Sequence, residues 1–161
     1  MLVANTAIEA FYQLILDGKR LVGVDLDQDI EAFMVYALLR NMNKMDLKEV
    51  IFAQSLLTGI SQQNIDQLEN VLDSALIYAG WYPKRAQRLG VSPAYFSDIG
   101  KMASLELSHY YYLIKSSYQT TYAKISVEFD KLVMVLQAFF TSREIHRLHQ
   151  ADFVVVNNKN H

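Results

Sequence analysis

Cysteine is absent from the 161 residues, which excludes disulfides, thiolate nucleophiles and cysteine-ligated zinc or iron–sulfur centres. Only two prolines and six glycines interrupt the chain, and a Gly- and Pro-rich linker between domains is nowhere to be found. Neither charge sign dominates. Fifteen Lys and Arg face seventeen Asp and Glu, and a formal charge of -2 argues against a polybasic membrane binder or a dedicated nucleic-acid coat. No uncharged apolar run approaches the roughly 20 residues that cross a bilayer. The opening MLVANTAIEAFYQLILDGK lacks a basic start and a small-residue cleavage site, so a cytoplasmic location is the default expectation.

What is present is helix-forming. Apolar residues make up 52% of the chain and charged residues 20%, the balance of an ordinary globular domain. Thr6 and Glu9 read as a capping box, Ile8, Phe11, Tyr12 and Ile15 repeat at helical spacing, and Gly18 reads as a terminator, predicting a helix over 7–17. Residues 19–26 are β-branched and glycine-interrupted, which predicts an extended connector. Asp27 or Asp29 caps a second helix carrying Ile30, Phe33, Met34, Ala37 and Leu38 on one face. Asp46 and Glu49 would cap a third, ending at Gly59. Ser61 would cap a fourth, striped by Ile65, Leu68, Leu72, Ala75, Leu76 and Ala79 and ended by Gly80.

Neither Gly nor Pro occurs from Lys101 onward. Leu107, Tyr111, Ile114, Tyr118, Tyr122, Ile125, Phe129, Leu132, Leu136 and Phe139 recur there in steps of three and four. An unbroken phase predicts one long helix from Asp98 to Phe140, about 60 Å at 1.5 Å per residue, with a hairpin as the alternative. Thr141 and Glu144 predict a new cap and a short helix to Gln150, Phe153–Val156 an extended segment that could pair with Leu21–Leu26, and 157–161 a polar tail. The fold expected is all-α: a single-domain helical bundle over residues 1–156 with a long helix in its C-terminal half and at most one short strand pair.

Ala86–Ile99, AQRLGVSPAYFSDI, resembles the turn and second helix of Cro-type helix-turn-helix repressors. Ala86 stands where that family packs an alanine between helices, Gly90 at the positive-φ turn, and Ser92 at the cap before Pro93. The resemblance implies DNA contact through Lys84, Arg85, Arg88, Ser92, Tyr95, Ser97 and Lys101. It spans fourteen residues, Arg85 occupies a usually apolar position, and PAYFSDIGK carries no Arg, Asn or Gln to read base edges. A nucleic-acid partner is therefore an alternative, and a plain helical corner the preferred reading.

Other constellations are sparser. Glu106 and His109 share a helix face, but a di-iron bundle needs two such pairs and further glutamates, so a surface ion pair is favoured. His146, His149 and Asp152, three apart, could form a weak metal face, but two histidines at that spacing are common by chance, and neither a metal nor a cofactor is expected. No nucleophile elbow or phosphate loop appears. Tyr110, Tyr111, Tyr112, Tyr118 and Tyr122 could line a ligand pocket, or belong to a core or an interface. The preferred expectation is a non-enzymatic protein acting through protein–protein contact. It would be a homodimer whose long helix presents Tyr111, Tyr118, Tyr122, Phe129, Leu132, Leu136 and Phe139 to its partner. An overhanging apolar helix needs a cover.

Overall fold

The computed structural model describes the backbone of residues 2–41, 52–82, 84, 90 and 92–158, and the side chains of 6–41, 54–82, 84, 90, 92 and 94–138. Within those limits the chain is an all-α bundle of six helices with no strand: α1 (Leu2–Val22), α2 (Gln28–Asn41), α3 (Phe52–Ser61), α4 (Ile65–Gly80), α5 (Pro93–Leu113) and α6 (Tyr118–Asn158). The central helix is α4, whose residues 71–80 are buried all round except Ser74, with Leu72, Ala75, Leu76 and Ala79 fully enclosed. Helices α5 and α6 form an antiparallel hairpin packed on α4. Its register is fixed at both ends, where the Ser108 hydroxyl donates to the Gln119 carbonyl at 3.1 Å and the Ser126 hydroxyl to the Lys101 carbonyl at 3.1 Å.

Two glycines account for the shifted end of the first helix. α1 runs through Gly18 to Val22, and the chain turns instead at Gly23, whose φ of +73° is open to glycine at no steric cost. Gly18 serves packing instead. A Cβ there would lie 2.5 Å from the Val135 carbonyl oxygen, so its bare backbone lets α1 and α6 meet. Thr6 and Glu9 accordingly sit inside α1 and not at its start. α4 is capped by Asn64, whose side chain accepts the Gln67 N–H at 3.1 Å, while Ser61 is the last residue of α3. The Asp46–Glu49 capping box lies outside the described residues.

The unbroken helix expected over Asp98–Phe140 is corrected to a hairpin. Lys115 adopts a φ of +57°, the Ser116 N–H returns to the Tyr111 carbonyl at 2.9 Å, and the Ser116 hydroxyl accepts the Tyr118 N–H at 3.2 Å. One left-handed residue and one serine therefore end α5 and start α6 within four residues, few enough to leave the apolar phase undisturbed. Further on, the expected stop at Thr141 and the extended segment at Phe153–Val156 are also corrected. α6 continues to Asn158, and its 41 residues span about 60 Å. Residues 157 and 158 of the expected polar tail belong to it.

Candidate functional site

Two places concentrate chemistry-bearing side chains: a polar network inside the bundle and an apolar face outside it. The network begins on α4, where Glu69 and Asp73 stand one turn apart beside the apolar stripe of that helix. The phenols of Tyr111 on α5 and Tyr122 on α6 both donate to Glu69 Oε1, at 3.0 and 3.2 Å. Their rings stack in parallel, 5.3 Å apart at 2°, and Phe33 on α2 meets Tyr122 edge-on at 6.4 Å. Asp73 is 3% exposed and receives two hydrogen bonds from Arg40 on α2, Nε at 2.8 Å and Nη2 at 3.0 Å. Four helices thus converge on two carboxylates, each satisfied by donors from other helices.

The electrostatics of this network restrain chemistry. Burial, reinforced by the Glu69 hydrogen bond and charge, pushes the Tyr111 phenol up to about 12. Burial and the Glu69 charge push Tyr122 up further still. The Asp73 hydrogen bond raises the already high Arg40. Phenols held this way are donors locked to an acceptor, and at neutral pH they act neither as bases nor as nucleophiles. The same logic recurs at the end of the bundle. Burial of Asp29 is outweighed by the Thr121 hydroxyl at 2.7 Å and Lys124 Nζ at 3.1 Å, which hold its carboxyl below the ordinary value.

The outer face is of the opposite kind. Met102, Leu105, His109 and Tyr112 follow one another along α5 in steps of three, four and three, on the side away from the buried Ala103 and Leu107. Leu105 is 59% exposed and Tyr112 67%. At the hairpin tip Leu113, Ile114 and Tyr118 are also more than half exposed, with Tyr118 edge-on to Tyr111 at 5.6 Å. Leu105, Glu106, Ser108, His109, Tyr112 and Gln119 line an open depression of about 520 Å³ between α5 and the start of α6. Asp98 lies exposed one turn before Met102, and Lys115 exposed beyond the tip.

The expected interface residues divide accordingly. Phe129, Leu132 and Leu136 are 0% exposed, enclosed by the chain's own core, and are corrected from interface to core. The hairpin is the physical reason, since α4 and α5 cover the stripe that a lone long helix would have left bare. Tyr111 and Tyr122 belong to the Glu69 network, Tyr118 is exposed, and the Phe139 side chain lies outside the described residues.

Of the residues implied by the repressor resemblance, Gly90 has a φ of +74° and Ser92 stands at the α5 N-cap with extended backbone, its side chain making no capping bond. Lys84 and Ser92 are exposed, Tyr95 and Ser97 half-buried, and Arg85 and Arg88 outside the described residues. Lys101 is ion-paired with Asp130 at 2.7 Å. Phe96 and Ile99 are buried, so α5 enters the bundle from its first turns. His146, His149 and Asp152 have side chains outside the described residues, and among the described ones no trio of His, Asp and Glu is placed to hold a metal.

Glu69, Asp73 and Arg40 are not singled out in the sequence reading, although two carboxylates at i and i+4 at the edge of an apolar stripe are a legible sign of a partly enclosed polar network. The α5 stripe was missed as well. Its signal is an apolar series at 102, 105 and 112 on the side of the helix opposite the core series 103, 107 and 111. No helix among the described residues is long and apolar enough to cross a membrane. No family model, curated protein or solved structure matches this chain.

Proposed function

We propose that this chain is a non-enzymatic helical protein that works through protein–protein contact, self-association foremost, and that its contact face is the outer side of the α5–α6 hairpin. The observation that carries this reading is the run of Met102, Leu105 and Tyr112 along α5, continued by Leu113, Ile114 and Tyr118 at the tip, each 49–67% exposed. Scattered apolar residues on a surface are ordinary, but a series at heptad-like spacing beside an open depression is the arrangement that receives a partner helix. The half-buried tyrosine network supports the same reading from the other side, because its phenols are engaged with Glu69 of the bundle itself.

Light scattering over roughly 1–100 µM tests it, since association makes apparent mass depend on concentration. The expected result is a rise from 18.5 kDa toward twice that value, abolished by Leu105→Glu without loss of helical circular dichroism. A concentration-independent monomer, or a dimer indifferent to Leu105→Glu, would remove this face from consideration.

Duplex DNA is a second reading, favoured by the positive φ of Gly90 followed by Ser92 at the α5 N-cap. A mobility shift on random duplex that weakens steeply with salt would support it, and its absence at low salt would dispose of it.

A further inference from the structure

Resting on the contact face proposed above, we infer that its occupant is a second copy of this chain, docked with its α5 antiparallel to the first about a two-fold axis at the level of Leu107. The spacing sets this register. Met102, Leu105, His109 and Tyr112 occupy alternating a and d positions of a short seam, and an antiparallel pair of such seams meets a against d. Met102 then faces Tyr112 of the second copy and Leu105 faces His109 of the second copy, each contact occurring twice. Methionine against an aromatic ring is a favourable pairing, with the flexible thioether fitting the ring edge.

Charge selects the antiparallel orientation over the parallel one. Asp98 stands exposed at one end of the seam and Lys115 exposed at the other. Run antiparallel, the two copies set each Asp98 against Lys115 of the second copy. Run parallel, they would set Asp98 against Asp98 and Lys115 against Lys115. The open depression lined by Leu105, Glu106, His109, Tyr112 and Gln119 would in the antiparallel register receive Met102 and Leu105 of the second copy.

The seam is small. The register brings Met102, Leu105, His109 and Tyr112 face to face, and their combined exposed surface falls below the roughly 1,200 Å² of a stable contact, which sizes the pair as a weak, reversible dimer. The contact is isologous, so one patch serves both copies and assembly closes at two.

The absence of cysteine gives a clean background for crosslinking. In the antiparallel register two copies of position 112 lie ten residues apart along the helix, about 15 Å, beyond the reach of a disulfide. Tyr112→Cys alone is therefore expected to stay uncrosslinked under mild oxidation, while Met102→Cys with Tyr112→Cys yields a covalent dimer. Asp98→Lys and Lys115→Glu are each expected to weaken association about 2–5-fold, and the two together to restore it, as exposed pairs do. Efficient crosslinking of Tyr112→Cys alone would overturn the orientation. A dimer by light scattering that crosslinks in neither variant would overturn this register while leaving self-association in place, and a monomer throughout would overturn both.

Discussion

Gly100 on α5 faces the ring of Phe129 on α6 so closely that a Cβ on the glycine would overlap the ring's far carbons. Phe129 is fully buried, so its ring has nowhere to retreat. Replacing Gly100 by alanine gains about 1 kcal/mol of helix propensity but overpacks a closed core, a term of about 1–3 kcal/mol in the other direction. Chemical denaturation of Gly100→Ala is expected to show a net loss of stability. Adding Phe129→Leu, which removes the ring the methyl group strikes, is expected to make the glycine-to-alanine step neutral or favourable. Equal effects in both backgrounds would show that the close approach is not what fixes residue 100.

Two ion pairs of unequal burial predict unequal costs. Arg40 holds the buried Asp73 with two hydrogen bonds, whereas Lys101 meets Asp130 with that carboxylate 65% exposed. Arg40→Met leaves a buried carboxylate without its guanidinium and is expected to cost about 2–3 kcal/mol, moderated because the arginine side chain is itself half in water. Lys101→Met is expected to cost less than about 1 kcal/mol. Urea midpoints measured side by side decide it, and parity between the two would contradict the buried role given to Asp73.

Alkaline pH reads the tyrosine network directly. Tyr111 and Tyr122 bind their protons more tightly in the folded chain than in the unfolded one, where a phenol titrates near 10. Their contribution to stability is therefore complete below pH 10 and is lost as pH rises through about 12, the Tyr111 value, with Tyr122 following later. Denaturation at a series of pH values is expected to show that slope, and Tyr111→Phe with Tyr122→Phe to flatten it. An unchanged slope in the double variant would assign the alkaline loss to other groups.

How far the sequence could be read depended on which force set each feature. The all-α class, the α2 and α4 stripes and the burial of Leu72 and Leu76 follow from apolar periodicity, which burial enforces over many residues. Some helix ends followed, with α4 closing at Gly80 and α5 opening at Ser92 and Pro93, but others did not, because glycine carries two meanings. Gly18 and Gly100 mark close helix approaches, while Gly23 and Gly90 supply positive φ, and only the neighbouring helix distinguishes the cases. The break at Lys115 was illegible because a four-residue turn happens to return the stripe in phase. Of the candidate site, Tyr118 lay within reach of the sequence reading. The α5 stripe did not, since the longer core stripe on the opposite side of the helix dominates the periodicity of that stretch.

Hydrogen exchange at two protein concentrations is the most direct test of the outer hairpin face as the working surface. Opening of a helix is suppressed where a partner covers it, so protection that grows with concentration maps the contact without any substitution. The expected result is added protection confined to peptides within 98–118, with α2, α3 and α4 unchanged between the two concentrations. Exchange that is identical at both concentrations, or added protection that falls on α1 or on α2 and spares α5, would contradict it.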